Sequence, residues 1–193
     1  MCGVIETRRL QLRHFTPNDA DELYRIYSYP DLFKYMPNQQ PLLWEQTRIV
    51  IDSLIESWQR HRFGVWAVIY KKNQELIGHC GLKFLDNTLE IQMGYLLLKS
   101  YWGIGLGTEA AGVALKYGFE EASLERIVAI AKPENIASRR VMEKVGMKYE
   151  KNAHFYGNDV VYYSISRKAY QLNARRSKLT TMTANFSPLS TSA

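Results

Sequence analysis

Long apolar runs are missing. The most hydrophobic stretches, such as Val65–Tyr70, are far too short to cross a bilayer, which takes about 20 residues of helix. The start, MCGVIETRR, has no apolar core ahead of a cleavage site, so no signal peptide is expected and the cytoplasm is the default location. Cysteine is scarce. Cys2 and Cys80 are the only two, which excludes a disulfide framework and any cysteine metal-ligand spacing. Cys80 lies in an apolar run with no basic activator beside it in sequence, so it reads as a small core residue rather than a nucleophile. Glycine (12) and proline (6) are too few for a collagen or a low-complexity chain. Acid is absent from residues 167 to 178, where Arg167, Lys168, Arg175, Arg176 and Lys178 collect part of the net charge of +6. That excess suits nucleic acid, anionic lipid or a phosphate-rich cofactor. No basic stripe is interleaved with aromatics, which disfavours nucleic acid, and nothing favours a membrane.

What is present is an ordinary globular mixture: 193 residues, 46% apolar and 23% charged, enough for one medium domain. Residues 1–6 read as a loose lead-in. The alternation of Leu10 and Leu12 predicts a first strand. Thr16-Pro17-Asn18-Asp19 is a helix start, with Thr16 as cap and Pro17 in the first turn, and the helix is expected to reach about Ser28. Pro30, Pro37 and Pro41 break up a short irregular stretch. A longer helix, from about Trp44 to Arg60, follows from Ile51, Leu54, Ile55 and Trp58 at helical spacing.

From Gly64 the period changes to two. Val65–Tyr70, Leu76–Leu85 and Leu89–Leu98 read as three strands of an antiparallel meander, since their connections are too short for crossovers. The second half predicts a helix from Thr108 to about Ala122, a strand at Arg126–Ala131, and a helix opened by Pro133 and Asn135. That helix runs to Val145 and is ended by Gly146 in a left-handed conformation. A hairpin closes the pattern, Met147–His154 and Val160–Ser166, turning at Gly157-Asn158. From about Leu172 the chain is rich in Ser, Thr, Ala and Asn and reads as a mobile tail. One α/β domain over residues 5–170 and a flexible tail over 171–193 are therefore expected.

The most informative stretch is Tyr101-Trp102-Gly103-Ile104-Gly105-Leu106-Gly107-Thr108-Glu109-Ala110. Alternate glycines let a backbone approach a ligand, and the helix that follows offers unpaired N–H groups and the positive end of its dipole. Together these suit a phosphate. A plain strand-to-helix turn is the alternative. A Walker loop is excluded because the stretch ends Gly107-Thr108-Glu109 rather than Gly-Lys-Ser/Thr. A dinucleotide fingerprint is excluded because the spacing is G-x-G-x-G and an antiparallel meander precedes it.

Trp102-Gly103-Ile104-Gly105-Leu106-Gly107 resembles the loop of the GNAT superfamily of acyl-CoA-dependent N-acetyltransferases, with Trp102 where that motif usually has Gln or Arg. The replacement is similar to the branch of ribosomal-protein N-terminal acetyltransferases, the RimJ/RimL type. Two further stretches agree with it: Asn135-Ile136-Ala137-Ser138 leading to Glu143-Lys144-Val145-Gly146-Met147, and the opening Glu6-Thr7-Arg8-Arg9-Leu10-Gln11-Leu12-Arg13.

The resemblance implies a mixed, mostly antiparallel α/β sheet flanked by helices. Its fourth and fifth strands, here Leu89–Leu98 and Arg126–Ala131, splay apart around the cofactor's pantetheine arm. It implies acetyl-CoA as cosubstrate and no metal. Backbone at Tyr95, Leu96 and Leu97 would pair with pantetheine. Amides of Gly103, Ile104, Gly105, Leu106, Gly107 and Thr108 would hold the diphosphate. Asn135 would contact the cofactor or cap its helix. A backbone N–H where the fourth strand bulges, at Tyr95 or Leu96, would take the oxyanion. Many members place a tyrosine four residues before Gly146 to protonate the leaving thiolate. Met142 stands there and cannot donate, so Ser138 becomes the candidate, with a helix serine contacting backbone as the alternative.

The matching position for the family's strand acid holds Gln92, which cannot act as a base. Glu90, two residues away on the same face, is the candidate base, directly or through water; a solvated or ion-paired carboxylate is the alternative. His79 and His154 are further candidates. Tyr35, Trp44, Gln92 and Phe155 would line the acceptor site. The implied activity is transfer of an acetyl group from acetyl-CoA to a primary amine, a protein N-terminus or a small amine, in a monomer or homodimer. The competing readings are a noncatalytic acyl-CoA-binding module and a basic ribosome- or RNA-contacting protein working through residues 167–178.

Overall fold

The computed structural model describes residues 3–34 and 40–184. Its frame is one eight-stranded sheet in the order β1-β2-β3-β4-β5-β6-β8-β7. The strands are β1 (Ile5–Glu6), β2 (Leu10–Arg13), β3 (Val65–Tyr70), β4 (Glu75–Phe84), β5 (Ile91–Leu97), β6 (Arg126–Ala131), β7 (Lys148–Phe155) and β8 (Asn158–Ser166). Every neighbouring pair is antiparallel except β5 with β6, which is parallel. The mixed, mostly antiparallel architecture is as expected. The loose lead-in is corrected: Ile5 and Glu6 add a strand to β2, in register with Leu12 and Gln11.

The helices are α1 (Ala20–Tyr27), α2 (Pro30–Phe33), α3 (Trp44–His61), α4 (Leu106–Glu120), α5 (Ile136–Lys144) and α6 (Arg167–Ala184). Thr16 does open a helical segment, but its first turn, Pro17–Asp19, is 3-10. Asp19 closes that turn by accepting from the Thr16 amide (2.7 Å) and holds Arg13 through two short bonds. The proline-punctuated stretch contains the short helix α2. Backbone helix also continues through Ala184, past the Leu172 at which the sequence suggests a tail.

Period-two alternation puts two cores on the two sides of the sheet. Leu10, Leu12, Trp66, Val68, Cys80, Leu82, Met93 and Leu97 face α4, whose Ala110, Ala111 and Ala114 are fully buried and let the helix lie close. Val65, Ala67, Ile69, Leu76 and Leu96 face α1 and α3 through Leu23, Ile26 and Ile51. Burial of this kind stabilises by about 2 kcal/mol per large side chain.

The resemblance places a bulge in the strand at residues 89–98, and the structure moves it. The β4–β5 register is unbroken from Gly78↔Leu97 to Phe84↔Ile91. The register shift lies between β3 and β4, where Ile77 has no partner in β3. Gly78 is next to it, at φ +151°, and a Cβ there would stand 2.0 Å from the Leu96 carbonyl oxygen. Only glycine fits so near a neighbouring backbone.

Candidate active site

Between β5 and β6 the sheet opens. The two strands share a single register pair, Gln92↔Val128, while β5 pairs along its length with β4 and β6 with β8. In an antiparallel ladder the residues of hydrogen-bonded pairs turn both backbone groups to the partner, and the residues between them turn both away. Two bonds set the phase for β5: Leu85 N–H to Glu90 O and Leu98 N–H to Ile77 O. Residues 90, 92, 94, 96 and 98 therefore face β4. Tyr95 and Leu97 present their backbone groups to the open side. Leu96, named from the resemblance as a pairing residue, is turned toward His79 instead. The Leu97 carbonyl is already taken by the Trp102 indole N–H at 2.6 Å. Trp102 thus ties the glycine loop to the free edge of β5, a role that its place in the motif did not disclose.

The loop enters α4 through Gly105, left-handed at φ +85°, where a side chain would be strained. The helix of 15 residues leaves the first-turn amides after Gly105 without helical partners. Gly103, Ile104, Gly105, Leu106, Gly107 and Thr108 thus form a bend and a helix start one short connection away from the open strand edge.

Below the loop, the Tyr95 phenol reaches from β5 to α5 and donates to Ser138 Oγ at 3.1 Å. Burial pushes that phenol up to about 12, so it stays a proton donor at neutral pH. Asn135 caps α5, its Oδ1 accepting from the Ser138 amide at 3.1 Å. Met142 is buried in the apolar cluster, with 2% exposure. Tyr95, Ser138 and Asn135 are therefore brought together beside the loop.

The remaining candidates gather elsewhere. Glu90 precedes β5 beyond the Gln92↔Val128 contact, and its carboxylate accepts from Tyr162 at 2.5 Å. Burial and this bond push the Tyr162 phenol up to about 12. Gln92 is buried and its Oε1 accepts from Tyr156 at 3.2 Å. Phe155 lies against Tyr162 with ring centroids 6.1 Å apart. Glu90, Gln92 and Phe155 thus share one cluster, and alternation along β5 sets it on the sheet face opposite the Tyr95 side chain. Tyr156 and Tyr162 are its unforeseen members. In sequence they are two tyrosines among 13, and only the folded hairpin brings them against β5.

Trp44 opens α3 and donates to Asp21 on α1 at 2.8 Å, apart from that cluster. Tyr35 lies outside the described residues. His79 holds Tyr27 at 3.1 Å, and desolvation lowers its imidazole to about 4. His154 pairs with Asp159 on the exposed hairpin. Among the described residues, no group of three or more His, Cys, Asp or Glu side chains is arranged to hold a metal ion, and no helix is long and apolar enough to cross a membrane.

Residues 9–148 match the family model described as acetyltransferase (GNAT) domain. YnaD of Bacillus subtilis, described as an uncharacterized N-acetyltransferase, is 34% identical over 83% of this chain and 95% of its own. The solved GNAT-family acetyltransferase of Bacillus anthracis superposes with a TM-score of 0.74 at 31% identity, covering 86% of this chain and 99% of that one. RimL, a ribosomal α-N-protein acetyltransferase solved in complex with coenzyme A, shares the fold at a TM-score of 0.74 and 18% identity, over 84% and 97% of the two chains.

Proposed function

The chain belongs to the GNAT acetyltransferase family, and we propose that it is an N-acetyltransferase that moves the acetyl group of acetyl-CoA to a primary amine by direct attack on the thioester. The observation that carries this reading is the open strand edge offered by the Tyr95 backbone and the Leu97 amide, with the Leu97 carbonyl tied by Trp102 to a glycine loop at a helix start. That edge accepts an amide-bearing pantetheine arm as an added strand, and the loop offers amides to its diphosphate. The Tyr95 N–H lies on the open side and serves as the oxyanion donor.

The leaving thiolate needs a proton. Met142 has none to give. Ser138 stands beside the loop, and because Tyr95 donates to its oxygen, its own hydroxyl hydrogen is free to turn to the sulfur. Tyr95 is thus the donor behind the donor.

The amine must arrive without its proton, and the base side of the site is weak. Gln92 cannot take a proton. Glu90 is held by Tyr162, and His79, at about 4, is a far weaker base than an amine. This arrangement favours an acceptor that deprotonates itself. An α-amino group, with a pKa near 8, is about one-tenth free at pH 7, whereas an alkyl amine near 10.4 is free to less than about one part in a thousand. A polypeptide N-terminus, the acceptor class of the RimJ/RimL branch, is therefore the preferred acceptor, and the cytoplasm its place.

The test is CoA release from acetyl-CoA over a panel of peptides with free N-termini, lysine side chains and small amines. Turnover with α-amines is expected, with kcat/KM rising with pH along the acceptor's own titration. Coenzyme A binding with no release above background for any amine would instead establish the noncatalytic acyl-CoA-binding reading, which the glutamine at position 92 and the methionine at position 142 favour.

A further inference from the structure

A carboxylate sits in the first turn of α4 where an anion is to be bound, and it is held more firmly than any helix-end charge needs. Glu109 Oε1 accepts from the Thr7 hydroxyl at 2.5 Å and from the Arg9 amide at 3.0 Å, and its Oε2 accepts from Arg9 Nε at 2.8 Å. The same guanidinium donates through Nη1 to the Ile104 carbonyl at 2.7 Å. Its Nη2 stands 2.7 Å from Glu109 Oε2, and 3.4 Å from where a Cβ on Gly105 would be. Thr7 and Arg9 belong to the turn between β1 and β2, about a hundred residues away in sequence, so the pair pins that turn to the glycine loop.

The consequence is directional. The Ile104–Gly105 peptide is trans and planar, so its carbonyl and its N–H point in opposite directions. Once Arg9 holds the Ile104 carbonyl, the Gly105 N–H must point away from Arg9. The next carbonyl, of Gly105, is consumed by the Glu109 amide at 3.1 Å inside the helix. The carbonyls on either side of the Gly105 Cα are thereby withdrawn from an anion, and the Gly105 amide is left.

We infer that Arg9 and Glu109 position the 103–108 loop for its anion, Glu109 orienting Arg9 and Arg9 turning the Ile104 carbonyl so that the Gly105 amide faces the diphosphate. The inference rests on the reading of the loop as the diphosphate site. Both are positioning residues and neither touches the reacting atoms. Thr7 and Glu109 belong to the opening stretch and the loop stretch of the sequence, and their separation in the chain hides the bond between them.

The experiment compares two probes on the full chain: coenzyme A by calorimetry, and pantetheine, which has no diphosphate, by NMR titration. Glu109→Gln and Arg9→Lys are measured beside the wild type. Each variant is expected to weaken coenzyme A about tenfold or more and to leave pantetheine within about twofold, which also reports an intact fold. The Glu109 variant is the sharper one. Removing a negative charge beside an anion site would by simple electrostatics tighten binding, so weaker binding marks a positioning role. Unchanged or tighter coenzyme A binding, or equal losses for both probes, overturns the positioning role alone. A wild type that binds coenzyme A no better than pantetheine overturns the loop reading together with it.

Discussion

On the proposed reading, Ser138 supplies the leaving-group proton that Met142, at the position of the family's usual tyrosine, cannot give. Replacing it with alanine removes the proposed donor hydroxyl, and kcat is expected to fall about 10- to 100-fold with the acetyl-CoA KM changed little. Tyr95→Phe removes only the supporting donor and should cost about 5- to 10-fold. Because Tyr95 acts through Ser138, the double variant should be no slower than Ser138→Ala; steady-state CoA release on all three checks it. Glu90→Gln should leave kcat within about threefold, since its carboxylate is occupied by Tyr162. A loss of 100-fold with a flattened acidic limb would restore Glu90 as the base. At this scale the sequence marked Ser138, Asn135 and Tyr95 through their motifs. It did not mark Tyr156 or Tyr162, because a tyrosine's partner is set by a hairpin that docks more than 60 residues away on β5.

The decisive element is the β4–β5 ladder, since its register decides which backbone groups of β5 are free. Gly78 guards that register. A methyl at this position would be driven against the Leu96 carbonyl at 2.0 Å, with backbone rather than a flexible side chain in the way. Gly78→Ala is expected to destabilise by about 3 kcal/mol in urea unfolding and to weaken coenzyme A binding through the displaced strand. Most elements were legible because each is dictated locally. Ile51, Leu54, Ile55 and Trp58 at helical spacing produced α3, and a capping Asn135 with Gly146 at φ +91° bounded α5. β1 was not legible, since two residues have no period of their own and become a strand only by pairing with β2. The bulge at Ile77 was likewise invisible. It records a mismatch between β3 and β4, and neither strand alone displays it.

Taken as a whole, the molecule buries ionisable groups whose titration couples the fold to pH. His79 has its imidazole lowered to about 4, first by desolvation and then by the Lys83 charge, from an unfolded value of 6.5. The native state keeps the ring neutral beside Tyr27, while the unfolded chain takes up a proton below 6.5. The stability this contributes is complete above 6.5 and is lost as pH falls toward 4, on the order of 2 kcal/mol over that window. His79→Gln, which keeps a polar partner for Tyr27, should flatten that part of the stability–pH curve in thermal melts between pH 7 and pH 4. Below it a second loss is expected. Burial opposes ionisation of Asp19 and Glu109, but their bonds to Arg13 and Thr16, and to Thr7 and Arg9, hold both carboxyls below their ordinary values. That stabilisation is present above the unfolded carboxylate range and disappears as acid protonates them in the folded state.

By itself the sequence determined what is local or periodic: alternating strands, the apolar stripes of the helices, the glycine bend before α4, the cap of α5 and the motifs that mark the family. These depend on residues within a few positions of each other, and the chemistry of a turn or a cap is the same in any fold. Tertiary structure decided which strand edge stays open, which of Tyr95, Leu96 and Leu97 turns its backbone to that edge, which carbonyl Arg9 binds, and which carboxylate Tyr162 occupies. Each of those is a relation between segments far apart in the chain, set by ladder phase and by packing, and no window of sequence contains both partners.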